Sequence, residues 1–345
     1  MNRRIWVCMA VLGVLVGSLA WAGGAAEDPD GAMEPVTLRY AHMNTEASIM
    51  GLQTTAFAEA VKDVTDGRVT VEVYPHSQLG SNQAQLEMTV SGAVAFHHTP
   101  WGQLSSLIPD FAVFNIPYLT RSVEDMARLT DINTSPVMQR LNERLIAEQG
   151  LRIIAVAALG NERMLTTRDI PYSEPADLAG ELIRAIPIPV FITAVKGLGG
   201  IPTPIDFADL PTALATGTVQ GQENPPETIR NAQMYETQNY LALTAHIQGS
   251  VPILVNEKAW QSFTEEEQED IRRVAQEVAA EHNQMTIDNA ADTLQYLRDQ
   301  GMTIIGPDEG LRLDLIIENT ERYVREEFGE EFGDLLDEVK DYLGY

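Results

Sequence analysis

Two polar residues in the second half of the chain have the chemistry of an anion-binding pair. Arg184 closes a strand-like segment, residues 178–185, and its planar guanidinium can hold a carboxylate through two parallel hydrogen bonds. Asn224 lies in Gly-Gln-Glu-Asn-Pro-Pro, residues 221–226, where a rigid turn can present its amide to the same anion. A surface arginine and an unrelated turn residue would look the same in the sequence, so the assignment depends on the rest of the chain.

Further candidate site residues follow predicted strands. His42 and Asn44 come directly after the first strand, at the carboxyl end where open α/β sheets bind ligands. His97 and His98 are neighbours on another strand, so their side chains point to opposite faces and cannot bind one metal ion together. Either histidine could face a cleft, and we take His98 as the candidate contact. Trp101 is a further candidate, although packing in the core would explain it equally well. We predict no metal site.

The common signatures of catalysis are missing from the sequence. It contains no Gly-x-Ser-x-Gly, no His-Glu-x-x-His and no Gly-Lys-Ser/Thr phosphate loop, and residues 197–200 lack the glycine spacing of a dinucleotide site. The acidic run at residues 265–267 opens a helix, where negative charge favours the helix dipole. We therefore expect a protein that is not an enzyme and uses no cofactor. A secreted hydrolase or lyase is the alternative from another class, and turnover of a bound acid would favour it.

The chain is strongly acidic. Its 345 residues include 50 Asp and Glu against 23 Lys and Arg, a formal net charge of −27 at pH 7. Such a surface repels nucleic acid and anionic lipid, so we exclude both as partners. It also disfavours an anionic ligand unless arginines in a local pocket attract it, since salt screens the distant field. The composition therefore makes the arginines the first candidates for binding an anionic ligand.

The first 22 residues have the layout of an export signal. Two arginines precede an apolar run, residues 5–19, and residues 20–22 form a small-x-small cleavage site. The apolar run is too short to span a bilayer, so we expect export and cleavage after Ala22. The single cysteine, Cys8, would leave with the signal, and the mature protein would have no thiol chemistry. Residues 23–35 contain Gly, Ala, Asp and Pro without periodicity and are predicted to be a flexible leader.

The length of the chain and the order of its elements predict two lobes. One hydrophobic core rarely extends beyond about 250–300 residues, so a chain of this length tends to divide. Strand, helix and strand follow one another in residues 36–73, which predicts a βαβ unit and a parallel sheet. Thr264 and Glu267 form a capping box that opens a long helix reaching about Gln300, and residues 311–345 are predicted to be helical. We place lobe one in residues 36–160 and 247–290, and lobe two in residues 161–246 and 291–345.

Longer stretches of the sequence resemble one protein family. The matching stretches are Tyr40-Ala-His42, residues 67–75, 77–80, 114–118 and 198–204, Gly217-Thr-Val-Gln-Gly221, Gln222-Glu-Asn-Pro225, and residues 240–246 and 260–264. Together they resemble the extracytoplasmic solute-binding proteins of tripartite ATP-independent periplasmic (TRAP) transporters, of the C4-dicarboxylate-binding type. The resemblance covers roughly residues 36–305, and Gln-Glu-Asn-Pro after Val-x-Gly is its most specific part.

The resemblance implies a fold and a function. The fold would be α/β with two lobes, each a mixed, mostly parallel sheet flanked by helices, with a long helix spanning both lobes and a ligand held between them. The protein would be a monomeric periplasmic receptor that delivers a small organic acid to the membrane subunits of a TRAP permease. A ligand sensor for a two-component kinase is the alternative within this fold. Dicarboxylates, sugar acids and aromatic acids all stay open as ligands.

The resemblance also implies roles for individual residues. Arg184 matches the family arginine that clamps the carboxylate of the ligand, and Asn224 matches a cleft asparagine. Arg163 falls near a second cleft arginine of the family, although a solvated arginine is nearly as consistent with its position. Where the family often has a polar ligand contact, this chain has Thr99-Pro100-Trp101, which predicts a flatter or more apolar wall.

Overall fold

Strands and helices alternate along the chain, as the sequence predicts. The structure is a computed structural model that describes residues 34–345. The predicted export signal, its cleavage site, Cys8 and most of the predicted leader lie outside the described residues. The strands are β1 Val36–Ala41, β2 Val69–Tyr74, β3 Phe96–His98, β4 Leu151–Ala157, β5 Met164–Thr167, β6 Leu182–Ala185, β7 Ile201–Pro204, β8 Gly221–Asn224, β9 Tyr240–Ala242, β10 Val251–Asn256 and β11 Thr303–Ile305.

The helices differ widely in length. In chain order the α-helices of residues 34–345 are α1 Ile49–Val64, α2 Asn82–Ser91, α3 Trp101–Leu104, α4 Val123–Thr130, α5 Pro136–Gln149, α6 Pro189–Gly197, α7 Leu210–Thr216, α8 Pro226–Asn231, α9 Glu257–Trp260, α10 Glu265–Asp288, α11 Ala290–Asp299 and α12 Leu313–Leu343. Short 3₁₀ helices cover Pro109–Asn115, Pro175–Leu178, Phe207–Asp209, Met234–Glu236 and Pro307–Glu309. Each helix within residues 34–345 is either too short or too polar to span a bilayer.

The first sheet has the strand order β2-β1-β3-β10-β4. β1 is parallel to β2 and to β3, with Val36 opposite Val69 and Tyr40 opposite Phe96, which confirms the predicted βαβ unit. β10 is antiparallel to both of its neighbours, β3 and β4. Helix α1 connects β1 to β2 and is capped at its start by Ser48, whose hydroxyl accepts a hydrogen bond from the backbone of the first turn.

The second sheet has the strand order β11-β9-β5-β8-β6-β7. β11 is parallel to β9, and β6 is parallel to both β7 and β8. β5 is antiparallel to β8 and β9. Both sheets are therefore mixed, as predicted, but only the second has a majority of parallel pairs.

The chain crosses between the two sheets three times, from β4 into β5, from β9 back to β10, and from β10 through α10 and α11 to β11. The first two crossings lie against each other, because the backbone N–H of Arg163 donates to the carbonyl of Ile247 at 3.0 Å. Gly249 allows this close approach, since a Cβ there would lie 1.9 Å from the carbonyl oxygen of Asn161. Both sheets belong to one compact unit, Pro35–Tyr345.

The long helix predicted to reach Gln300 is two helices in the structure. The capping box of Thr264 and Glu267 is present and opens α10, which confirms the predicted start. α10 ends at Asp288, Asn289 lies between the two helices, and α11 begins at Ala290. α10 packs on α1 and β4 of the first lobe, whereas α11 packs on α8 and β11 of the second. The break at Asn289 thus lets consecutive helices serve different lobes.

The C-terminal helix α12 also contacts both lobes. Its first half packs on α6, where Thr320 fills the space beside Gly197. Its second half reaches the first lobe, where Arg128 of α4 donates to the carbonyl of Tyr342 at 2.9 Å and Arg140 of α5 pairs with Glu338 at 2.7 Å. The structure therefore differs from the predicted assignment of residues 291–345 to lobe two, because the end of the chain lies on lobe one.

Candidate functional site

A cavity of about 650 Å³ lies between the two sheets. It is lined by the ends of β3, β6 and β8, the segment after β1, the start of α2 and the segment after β7. Five of the residues predicted from the sequence line it together: Asn44, His98, Arg163, Arg184 and Asn224. His42 and Trp101 are not among the lining residues.

Arg184 is a buried cation with unused hydrogen-bonding capacity. It lies on β6, is 1% exposed, and donates through Nε to the carbonyl of Ile205 at 2.8 Å. Its Nη1 is buried and has no hydrogen-bond partner among the described residues. Burial lowers the pKa of Arg184 to about 10, an effect that Arg163 adds to and that Glu223 opposes. The guanidinium therefore stays charged at neutral pH, and this residue of the cavity lining has one nitrogen without an acceptor among the described residues.

Arg163, by contrast, is already paired. Its Nε donates to Glu223, and its Nη2 donates to Glu223 Oε1 at 2.9 Å and to Asn224 Oδ1 at 3.1 Å. The guanidinium carbon also lies 5.0 Å from the ring centroid of Phe191. Arg163 thus holds the side chain of Asn224 in place, and the structure does not leave it as a solvated arginine.

Glu223, which the sequence did not single out, is the buried partner of this network. Its side chain is 0% exposed, and Nε2 of His246 lies 3.2 Å from Oε2. Burial alone would raise the pKa of this carboxyl, but Arg163 and His246 bring it down to about 2. Glu223 is therefore ionised and balances the charge of Arg163. An acidic residue inside a strand is a signal for such a pair, since a buried charge needs a partner.

The first lobe contributes a neutral polar wall around His98. The Tyr40 hydroxyl lies 3.1 Å from His98 Nδ1, and Asn44 Oδ1 lies 2.9 Å from His98 Nε2. With the Asn44 oxygen as acceptor, Nε2 carries the ring proton and Nδ1 accepts from the tyrosine. Burial, followed by the neighbouring His42 and His97, lowers the pKa of His98 well below its ordinary value. His98 is thus an uncharged link that orients Asn44 at the cavity.

His42 lies behind this wall. Its ring stacks on His98 with centroids 5.0 Å apart, and it is fully buried. Burial, with the nearby charges of His97 and His76, lowers its pKa to about 4. The two histidines of β3 behave as strand geometry predicts: His98 lines the cavity, whereas His97 points away from it and bonds to the carbonyl of Ala41 at 2.8 Å.

Amides and hydroxyls continue the wall at the start of α2. Asn82 donates to Thr99 Oγ1 at 2.6 Å and to Gln103 Oε1 at 3.2 Å, and Gln103 donates to Gln83. Asn82 Oδ1 is buried without a hydrogen-bond partner in the described part of the chain. The expected flatter or more apolar wall at Thr99 is instead a cluster of neutral polar side chains that can bind hydroxyl groups.

Trp101 is a core residue of the first lobe. Its indole is 0% exposed, stacks beside Phe111 and Phe114, and donates from Nε1 to Ser250 Oγ at 2.8 Å. The residue opens α3, which turns the side chain away from the cavity and into the largest apolar cluster of the protein. The structure therefore does not bring Trp101 to the site.

Two acidic residues on the second lobe complete the lining. Asp206 precedes the short 3₁₀ helix that follows β7, and Asp209 is the last residue of that helix; Phe207 and Ala208 line the cavity beside them. Both carboxylates are exposed at the cavity. Sequence reasoning did not select them, because nothing local distinguishes an acidic turn at a cavity from one on an ordinary surface.

Comparisons with known proteins match most of this chain to one family of proteins. Residues 40–325 match the family described as bacterial extracellular solute-binding protein, family 7, DctP. A solute-binding protein of Roseobacter denitrificans is 28% identical over 304 residues, which cover 85% of this chain and 89% of that protein. The ectoine-binding periplasmic protein of Halomonas elongata is 30% identical over 237 residues, 69% of this chain and 68% of that protein.

Solved structures match the fold as well. A TRAP periplasmic solute-binding protein from Roseobacter denitrificans with bound L-galactonate gives a TM-score of 0.81 at 27% identity, covering 89% of this chain and 99% of that one. The sugar acid binding protein of Advenella mimigardefordensis, in complex with galactonate, gives a TM-score of 0.80 at 26% identity, with 90% and 99% covered.

Proposed function

Because this chain belongs to family 7 of the bacterial extracellular solute-binding proteins, we propose that it is a periplasmic receptor for a small organic acid. The resemblance recognised in the sequence is thereby confirmed. The relatives that match it are named as binding proteins. In this proposal the protein holds its ligand in the cavity between the lobes, delivers it to the membrane subunits of a TRAP permease and catalyses no reaction.

The observation that carries the proposal is the buried, unpaired nitrogen of Arg184. A buried donor that lacks a partner costs stability, so its persistence at a cavity wall points to a ligand that supplies the acceptor. A carboxylate matches the planar guanidinium. Its second contact would be the amide of Asn224, which Arg163 already orients.

The first lobe would bind the rest of the ligand. Asn44, oriented by His98, and the amide cluster around Asn82 face the same cavity. His42 would act only through its stack on His98, and Trp101 only through the core. Binding would bring the lobes together, and the closed form would be the one that the permease recognises.

The remaining parts of the proposal concern location and assembly. Export with cleavage after Ala22 would place the mature chain, beginning at Gly23, in the periplasm. A monomer suits this role, because a receptor that closes around its ligand needs no partner subunit to complete the cavity. The strong negative charge excludes nucleic acid as a partner.

Calorimetry with Arg184→Ala tests the proposal. With L-galactonate and a panel of other small acids as probes, the parent protein should bind at least one of them. The variant should lose about 2–5 kcal/mol of binding free energy, as when one partner of a buried charge pair is truncated. Arg184→Lys should recover little, since an ammonium cannot make two parallel hydrogen bonds.

Arg298→Ala is the matched control, because it removes the same charge from an exposed position on α11 of the same lobe. It should bind like the parent. Equal binding by Arg184→Ala and the parent, within threefold, would reject Arg184 as the carboxylate clamp.

A further inference from the structure

The charges that line the cavity nearly cancel. Arg163 and Arg184 supply two positive charges, and Asp206 and Asp209 supply two negative ones. Arg163 is further matched by the ionised Glu223 behind it. Within residues 34–345, Arg184 is therefore the lining cation that forms no ion pair, and its Nη1 has no hydrogen-bond partner there.

Asp206 is held next to that cation by the backbone. The Nε of Arg184 donates to the carbonyl of Ile205, the residue before Asp206, and the charge of Asp206 acts on the guanidinium. The Asp206 carboxylate makes no hydrogen bond or ion pair that would neutralise it within residues 34–345, and it is exposed at the cavity. Its negative charge therefore acts on whatever occupies the space beside the clamp.

The opposite wall offers nothing that would bind a second anion strongly. Asn44, Asn82 and Gln103 are amides, Thr99 is a hydroxyl, and His98 is neutral. Such groups suit ligand hydroxyls, which both donate and accept. A carboxylate placed there would lose its water without gaining a cation, and it would face the acidic residues of the other lobe.

We propose that the receptor is selective for acids with a single carboxylate and a hydroxylated, uncharged remainder, and that Asp206, supported by Asp209, excludes a second carboxylate. This inference rests on the proposed function, since it assumes that Arg184 binds a carboxylate. It narrows the ligand class that the sequence left open and disfavours the C4-dicarboxylates.

A matched pair of probes tests the selectivity. L-galactonate and galactarate share a six-carbon hydroxylated chain and differ at one end, where galactarate has a second carboxylate in place of a hydroxymethyl group. Calorimetry at fixed ionic strength should show at least tenfold tighter binding of L-galactonate, about 1.4 kcal/mol. Gluconate and glucarate form a second pair with another hydroxyl configuration, and malate and succinate should bind more weakly than either sugar monoacid.

Asp206→Asn removes the charge and keeps the shape of the side chain. It should improve galactarate binding at least threefold more than L-galactonate binding, because the dianion has the larger repulsion to lose. In the double variant with Asp209→Asn, the dissociation constant of galactarate should be less than three times that of L-galactonate. Asp308→Asn is the control, since it removes an exposed carboxylate on a 3₁₀ helix outside the cavity lining, and it should leave the ratio unchanged.

The possible outcomes distinguish a failure of this inference from a failure of the proposed receptor function. Tighter binding of galactarate than of L-galactonate, or of malate than of either sugar monoacid, would overturn the selectivity and leave the receptor function intact. An unchanged ratio in both Asp206 variants would overturn the role of these carboxylates. Failure of every acid to bind would overturn the proposed function and the inference with it.

Discussion

Acidification should destabilise the protein through His97. This residue lies on β3 at the centre of the first sheet, opposite Ala41 of β1 and Leu254 of β10. It is fully buried, and its Nε2 has no hydrogen-bond partner among residues 34–345. Burial lowers its pKa from 6.5 to about 4, although the bond to the Ala41 carbonyl acts in the opposite direction. The folded protein therefore keeps this ring neutral where an unfolded chain would protonate it.

The sign and size of the effect follow from that pKa difference. Below pH 6.5 the unfolded chain binds a proton that the folded chain does not, so the free energy of unfolding falls as the pH falls. The slope for one group is about 1.4 kcal/mol per pH unit, and the full loss, reached once the pH falls below 4, is about 3.4 kcal/mol. His42 has a similarly lowered pKa, caused partly by His97. The two titrations are coupled, so their contributions are not simply additive.

Urea unfolding at several pH values between 7.5 and 4.5 measures the effect. His97→Asn cannot titrate, so the stability difference between the parent and this variant should shrink by about 2–3 kcal/mol as the pH falls through the window. Parallel curves for the parent and His97→Asn would refute the reasoning.

Two further predictions concern the buried polar contacts near the cavity. Glu223→Gln leaves Arg163 buried without its counter-charge and should lower the free energy of unfolding by about 3–5 kcal/mol. Glu326→Gln, in an exposed helical pair, should leave the urea unfolding curve nearly unchanged. A cost below 1 kcal/mol for Glu223→Gln would contradict the pairing. Trp101→Phe should lower stability by about 1–3 kcal/mol, through a smaller ring and a lost hydrogen bond to Ser250. In calorimetry its affinity for the acid should stay within threefold of that of the parent. A tenfold loss of affinity would show that Trp101 contributes to the binding site.

Much of the local architecture was predictable from the sequence. The alternation of apolar residues around Val69 predicts a strand, and β2 pairs in parallel with β1 as expected. Thr264 and Glu267 predict the start of α10, and the capping box is present. Such signals are readable because alternation and capping are properties of a few consecutive residues.

The position of Arg184 on a strand was also predictable, because it follows from the local pattern; its role as a carboxylate clamp stays a prediction. The sequence further predicts that His97 and His98 point to opposite faces. The sequence does not say which face of β3 lies toward the cavity. That depends on how β3 is placed between β1 and β10, two strands that are distant from each other in the sequence.

Other features were decided by tertiary structure alone. The end of α12 lies on the first lobe because its apolar face packs with residues from α4 and α5. Trp101 entered the core because α3 turns its side chain away from the cavity, and the sequence around it is consistent with either place.

The charges of the site show most clearly which features the sequence determined and which ones only the tertiary structure decided. The sequence by itself determined that a strongly acidic chain needs local arginines to bind an acid. Only the tertiary structure decided which arginine is available, since Arg163 meets Glu223 sixty residues away and Arg184 keeps a nitrogen unpaired. The physical reason is that the free energy of a buried charge depends on every group within a few ångströms. Those groups are brought together by folding and not by sequence order.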